Sequence, residues 1–290
     1  MKEIVVISGK GGTGKTSITA AFASLAENAV FADCDVDAAD LHLILSPEIL
    51  VRNTFVSGQR ARIDPALCTR CGMCKELCRF EAVIINAADG TYHIETEACE
   101  GCAVCSEFCP AKAVIMEETE CGEWYISNTR FGPMVHAQLH IGAENSGKLV
   151  TIVRKDAKKK AAEIGADMII VDGSPGVGCP VIASITGASA VVAVTEPTMS
   201  GKHDLLRVIS LARHFRVPLY ACVNKWDINP VISGQIEEEC IKANVVFLGN
   251  VSYDKSITAA QIAGKSIIEY GDSQTAGEIR AMWEKLCQKI

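Results

Sequence analysis

The sequence predicts an α/β fold: a doubly wound, mostly parallel sheet whose chain is interrupted by a small inserted α+β domain. Three observations carry that prediction. Short apolar, β-branched runs alternate with stretches of helical spacing, and several of the runs end on a carboxylate or an amide. The first run breaks into a glycine-rich loop that opens a helix. Between residues 58 and 116 the alternation stops, and eight of the fourteen cysteines fall there in two evenly spaced clusters.

The first element is Ile4-Val5-Val6-Ile7, a buried strand, followed by Ser8-Gly9-Lys10-Gly11-Gly12-Thr13-Gly14-Lys15-Thr16 and a helix through Ser17, Ala20, Ala21, Ala23 and Leu25. The loop fits G-x-x-x-x-G-K-S/T, the phosphate-binding loop of P-loop NTPases. Glycines let several backbone N–H groups turn toward one anion, and the new helix adds its positive end. Lys15 supplies a point charge for the β- and γ-phosphates, and the Thr16 hydroxyl is a ligand for Mg²⁺. Gly9, Gly11, Gly12, Thr13, Gly14, Lys15, Thr16 and Ser17 are therefore the expected nucleotide contacts.

Lys10, directly after the first glycine, makes the motif more specific. Lys-Gly-Gly-Thr-Gly-Lys-Thr resembles the deviant Walker A motif of the MinD, ParA, Mrp and nitrogenase iron-protein group of ATPases. In that group the extra lysine reaches the nucleotide of a second subunit. The resemblance thus implies a homodimer on ATP binding, with Lys10 and Lys15 both at the reacting phosphates. The next strand, Ala29–Ala32, ends in Asp33-Cys34-Asp35-Val36-Asp37. Carboxylates at a strand's carboxyl end lie where open α/β sheets place their ligands. The resemblance assigns Asp35 to the attacking water and Asp33 to the Mg²⁺ shell. Asp37 reads as a helix cap or a switch residue, before a short helix through Leu41 and Leu45 that stops at Pro47.

In the interrupting segment, Cys68-x2-Cys71-x2-Cys74-x3-Cys78 is repeated 31 residues later as Cys99-x2-Cys102-x2-Cys105-x3-Cys109. This is the two-cluster bacterial ferredoxin run, in which the fourth cysteine of each motif serves the other motif's cluster. One 4Fe–4S cluster is assigned to Cys68, Cys71, Cys74 and Cys109, the other to Cys99, Cys102, Cys105 and Cys78. Arg79 stands where the run usually has proline. Zinc is the competing reading, since four thiolates also suit a tetrahedral ion.

Beyond the insertion, Trp124-Tyr125-Ile126 reads as a returning strand. Asn128–Pro133 and Glu144–Lys148 read as polar connections. Ser146 caps a helix carrying Leu149, Val153, Ala157 and Ala161 on one face and Lys155, Lys158, Lys159 and Lys160 largely on the other. Met168–Val171 followed by Asp172-Gly173-Ser174-Pro175-Gly176 reads as a Walker B strand, with Asp172 on Mg²⁺ and the Gly176 amide as a γ-phosphate sensor. Strands at Ala190–Thr195, Leu219–Val223 and Val245–Leu248, with helices near 201–215, 231–243 and 276–289, complete the alternation. Asn224-Lys225 resembles the base site of the ATPase group, yet Asn-Lys-x-Asp with Asp227 is also how many GTPases read guanine. Both readings stay open.

The resemblance spans nearly the whole chain: residues 1–57 and 117–290 look like a MinD/Mrp-type ATPase, and 58–116 like an inserted two-cluster ferredoxin. It implies an ATP-hydrolysing dimeric switch that couples nucleotide state to electron transfer with a redox or acceptor protein. A factor for iron–sulfur assembly and a MinD-like positioning ATPase are the alternatives. A formal charge of −7 disfavours a nucleic-acid binder. The absence of a signal peptide or apolar span reads as cytoplasmic. The last helix sets Ile279, Met282, Trp283 and Leu286 at helical spacing without a basic polar face, so packing on the sheet is expected over membrane association.

Overall fold

The computed structural model describes residues 1–143 and 146–290. In chain order the elements begin with β1 (Lys2–Ser8), α1 (Lys15–Leu25), β2 (Ala29–Asp33), α2 (Leu41–Leu45) and β3 (Glu48–Ile63). The cysteine-rich segment adds α3 (Met73–Leu77), β4 (Val83–Ile85), β5 (Tyr92–Ile94) and α4 (Val104–Glu107). Then follow β6 (Val114–Thr129), β7 (Gly132–Leu139), α5 (Ser146–Ile164), β8 (Met168–Pro175), α6 (Cys179–Ile185), β9 (Ala190–Thr195), α7 (Met199–His214) and β10 (Leu219–Asn224). A short 3-10 turn at Trp226–Ile228 leads to α8 (Pro230–Lys242), β11 (Val246–Val251), α9 (Lys255–Ile262), α10 (Ile267–Tyr270) and α11 (Gln274–Cys287).

Nine strands form one sheet in the order β11-β10-β9-β1-β8-β2-β7-β6-β3. The seven from β11 to β7 pair in parallel. β1 sits where the chain reverses its direction of travel across the sheet, the position at which open α/β sheets bind ligands. Its interior is apolar on both faces, as a covered parallel strand requires: Ile4, Val5, Val6 and Ile7 are fully buried. α11 lays Ile279, Met282, Trp283 and Leu286 into this core, with Trp283 against Phe22 at a ring separation of 5.0 Å. Its apolar stripe is therefore spent on packing, and among the described residues no helix is long and apolar enough to cross a membrane.

The chain divides into two compact units. One comprises Met1–Asn53, Glu123–Leu139 and Ser146–Ile290, and the other Thr54–Gly122 with the stretch beginning at His140. The exchange points fall inside β3 and β6. In the second unit β4 and β5 form an antiparallel pair, Val83 opposite Ile94, over a small core of Ala61, Ile63, Val83 and Val114.

The fold refines several local expectations. The turn-rich segment Asn128–Pro133 holds one tight turn: β6 runs through Thr129 and turns on Arg130 and Phe131 into β7. Two neighbouring strands joined by two residues are antiparallel. Arg130 locks the turn, donating to both Glu269 carboxylate oxygens at 2.6 and 2.7 Å and to the Ile44 and Leu45 carbonyls at 2.9 Å. The helix after Asp33 is preceded by Asp40, and Asp37 stays exposed rather than capping it. Of the polar turn at 144–148, Glu144 and Asn145 lie outside the described residues. Arg154, on the apolar face of α5, is buried in a bidentate pair with Glu3 at 2.8 and 2.7 Å. Its remaining donors reach the Ala183 and Thr186 carbonyls.

β7 also carries a buried histidine. His136 stacks on Tyr125 at 4.9 Å and shares a 2.9 Å hydrogen bond with Ser127. Burial, aided by neighbouring His42, lowers its pKa to about 4. The folded value lies below the unfolded one, so the neutral ring's contribution is complete above about pH 6.5 and is lost as the pH falls toward 4. The full loss is on the order of 3 kcal/mol. Urea unfolding of the wild type and His136→Phe across that window should show a steeper acid loss in the wild type. Parallel pH profiles would contradict the assignment.

Candidate functional site

The carboxyl end of β1 opens onto a cavity of about 380 Å³, a size suited to a small ligand. Its lining includes Gly11, Gly12, Thr13, Gly14, Lys15, Thr16 and Ser17 from the loop, Asp35 and Asp40 after β2, and Asn224 and Lys225 after β10. Gly14 holds a left-handed φ of 88°, and a Cβ there would strike Asn224 Nδ2, so only glycine fits. Thr13 Oγ1 is buried in the loop with no hydrogen-bond partner. A buried orphan hydroxyl is costly unless a ligand completes it.

At the base of the cavity one cation meets three carboxylates. Lys15 Nζ lies 2.8 Å from Asp172 Oδ1 and 3.4 Å from Asp35 Oδ2. Burial opposes its charge, but Asp172, Asp35 and Asp33 outweigh that and hold the ammonium above its ordinary value. Thr16 Oγ1 donates to Asp172 Oδ2 at 2.7 Å and Thr19 Oγ1 to Asp172 Oδ1 at 2.8 Å. Asp33 is fully buried, its oxygens accepting from the Asp35 and Leu41 amides at 3.1 and 3.2 Å. Burial and the Asp172 charge raise its pKa well above the carboxylate range. Asp35 is raised to about 6, mainly by burial and against the pull of Lys15. The register explains the convergence: β2 and β8 place Asp33 opposite Asp172.

Other predicted residues are placed differently. Lys10 is outside the cavity lining; its Nζ meets Glu196 Oε1 at 2.5 Å and Ser200 Oγ at 3.0 Å. Gly9 is also outside the lining and packs against Asp204. Asn224 is pinned at both ends, Nδ2 donating to the Thr13 carbonyl and Oδ1 accepting from the Lys225 amide. Lys225 Nζ donates to the Gly12 carbonyl at 3.2 Å. Both residues thus brace the loop while lining the cavity. Asp227 accepts from the Tyr253 amide at 2.7 Å and does not line the cavity. The Gly176 N–H donates to the Ser8 carbonyl.

Sequence reasoning places Glu196-Pro197-Thr198 at a strand end on the sheet edge that carries the chemistry but misses the pairing of Glu196 with Lys10. It also misses the stretch Ser252-Tyr253-Asp254 with Gln261 of α9, which also lines the cavity. Gln261 Nε2 donates to Ser17 Oγ at 2.9 Å. The only local signals were a Glu-Pro-Thr at one strand end and an Asp capping a helix at another.

The cysteine unit holds a second arrangement. Cys68, Cys71, Cys74 and Cys109 line one small cavity, and Cys78, Cys99, Cys102 and Cys105 line another. The backbone explains the exchange. The Asp64 amide donates to the Ala113 carbonyl, and 31 residues on, the Glu95 amide donates to the Ala82 carbonyl. Each repeat thus begins beside the end of the other, which brings Cys109 to the first three cysteines and Cys78 to the second three. Ala82 and Ala113, equivalent in the repeat, are both buried, as are Val83 and Val114. The Ala113 amide donates to Cys109 Sγ at 3.3 Å. Burial pushes that thiol up, but four surrounding backbone amides outweigh it and lower its pKa. Among the described residues no three His, Cys, Asp or Glu side chains converge on a point that would hold a single ion.

Comparison with known proteins decides the family. Residues 4–267 match the CobQ/CobB/MinD/ParA nucleotide binding domain. The chain belongs to that family. An uncharacterized protein of Methanocaldococcus jannaschii is 33% identical over 99% of this chain and 97% of its own length. An iron-sulfur cluster carrier protein of Pyrococcus furiosus is 28% identical, over 50% of this chain and 53% of its own length. The fold resembles that of the Pyrococcus furiosus cell division ATPase MinD, with a TM-score of 0.59 and 16% identity over 100% of this chain and 99% of that one. Pyrococcus horikoshii MinD, solved with Mg-ADP, gives the same score at 16% identity, covering 98% and 95%. The large, mostly parallel sheet is thus the sheet of this nucleotide-binding family.

Proposed function

We propose that the chain is an ATP-hydrolysing switch that carries two 4Fe–4S clusters and couples its nucleotide state to electron transfer with a partner protein. Supporting the first half is the convergence of Lys15, Thr16, Asp35 and Asp172 at the mouth of β1 in a family that binds nucleotides. The observation that carries the second half is the sorting of eight cysteines into two cavities of four, each drawn from both repeats. A zinc ion would need four sulfurs about 2.3 Å from one point. A four-iron cage is held at its corners, and two runs of four cysteines in tandem suit two such cages rather than the paired short knuckles of zinc sites.

In this reading Lys15 and the loop amides bind the phosphates, while Thr16 and Asp172 hold Mg²⁺ and Asp33 buttresses them through the backbone. The metal would neutralise charge developing on the transferred phosphoryl group. Asp35, with its pKa near 6, is ionised at neutral pH yet basic enough to orient the attacking water and accept its proton. Adenine is favoured over guanine because Asp227, the acceptor a guanine site needs, is committed to a backbone amide outside the cavity. In the homodimer that ATP would assemble, Lys10 leaves Glu196 for the partner's nucleotide. The clusters supply one-electron chemistry, and the cysteine unit insulates and positions them. The cytoplasm is the proposed location.

The half-length similarity to an iron-sulfur cluster carrier supports a second reading, cluster delivery to an acceptor. Anaerobic purification with metal and sulfide analysis, followed by an EPR redox titration with and without ATP·Mg²⁺, tests both. About eight irons per chain and a midpoint shift with ATP are expected. Zinc or no metal would refute the cluster assignment, and ATP-driven cluster loss to an apo-acceptor would select the carrier reading.

A further inference from the structure

The last strand of the large sheet is left open. β3 follows β6 at the end of the strand order, and among the described residues no strand pairs with its other side. Its first five residues, Glu48-Ile49-Leu50-Val51-Arg52, are all exposed. Successive strand side chains point to opposite faces, so neither face of this stretch is covered. Ile49, Leu50 and Val51 expose 46, 52 and 45% of their surface. Long apolar edges with unpaired backbone groups are templates for further strand pairing, which natural sheets usually blunt.

The order of residues selects the occupant. We propose that this edge pairs antiparallel with the same edge of a second copy of the chain, with Leu50 facing the partner's Leu50 across a two-fold axis. In that register Ile49 faces the partner's Val51 and Glu48 faces the partner's Arg52. Within its own chain Arg52 meets Glu123 at 3.4 Å, an exposed contact that costs little to give up. The stretch is self-complementary in charge and in apolar content, as an isologous interface requires. A shift by one residue along the strand would break both charge pairs and turn every side chain to the other face. β3 lies five strand positions from β1, roughly 24 Å at the usual strand spacing. The pairing is therefore separate from the Lys10 face and independent of nucleotide. It goes beyond the proposed switch, to which it adds a permanent dimer. With ATP, two separate two-fold contacts on one chain would assemble longer oligomers.

Sedimentation equilibrium of the full chain without nucleotide should give twice the 31.0 kDa of one chain. Glu48→Arg opposes arginines in both charge pairs, and Arg52→Glu opposes glutamates. Each variant alone should raise the dimer dissociation constant by about tenfold or more, because like charges directly opposite destabilise strand pairs. Mixed one to one, the two variants should re-form a dimer, since the arginines of one then face the glutamates of the other in both charge pairs. Circular dichroism of each variant checks that the fold is kept. Leu50→Cys provides a second route: on mild oxidation it should give a disulfide-linked dimer that the wild type does not form. A wild-type monomer without nucleotide overturns the proposal, as would variants that stay dimeric or a mixture that stays monomeric. A wild-type monomer that dimerises only with ATP would leave the switch reading intact while ending this one.

Discussion

Lys15→Ala is expected to abolish nucleotide hydrolysis and to lower the stability of the chain by about 3–5 kcal/mol, the usual cost of stranding one half of a buried ion pair. The two effects share a cause. Lys15 is the cation facing Asp172 and Asp35 at 2.8 and 3.4 Å, and its charge also offsets fully buried Asp33. Without it the three carboxylates repel one another in a site shielded from water. Relief then comes only by taking up protons. Burial already holds the pKa values of Asp33 and Asp35 above the ordinary carboxylate value, so their protonation stabilises the fold at low pH and that help is lost as the pH rises. The deficit of Lys15→Ala relative to wild type should therefore grow from about pH 4 through neutrality. Urea unfolding of both proteins over that range measures it, beside a hydrolysis assay at neutral pH. A variant that hydrolyses ATP at the wild-type rate, or a deficit independent of pH, would show that Lys15 does not hold this site.

Removal of Cys109 together with Cys68 is expected to leave about four irons per chain, whereas removal of Cys109 together with Cys78 should leave almost none. The first pair separates crossed from uncrossed ligation, because Cys68 and Cys109 come from different runs but line the same cavity; the second strikes both sites under either scheme and serves as the control. Were each run of four to hold its own cluster, Cys68 with Cys109 would strike both sites and Cys68 with Cys78 only one. Iron analysis of the anaerobically purified alanine variants reads the difference directly. The crossing is physically imposed by the backbone, since Asp64 bonds to Ala113 and Glu95 to Ala82. Uncrossing the ligands would require breaking that exchange.

The phosphate loop, the two carboxylate-tipped strands and the cysteine repeat were all legible in the residues themselves. Each is a short pattern whose meaning depends on neighbours a few positions away: glycines that free the backbone, apolar runs that end on Asp, thiols at a turn's spacing. The folded chain was needed wherever the partner lies far along the sequence. Asn224 and Asp227 share a four-residue motif, yet Asn224 lines the cavity and bonds to Thr13, 211 residues away, while Asp227 is held by Tyr253, 26 residues away, outside the lining. Arg154 meets its partner only in the fold, where Glu3, 151 residues distant, takes it into the interior. Lys10 shows its attachment to Glu196 only once β9 lies beside β1. The polar run at Asn128–Pro133 reads as a turn, but what holds it shows only in the fold, where Arg130 finds its acceptors on α2 and α10. Local spacing sets what chemistry a residue offers; sheet order and register choose the atom it meets.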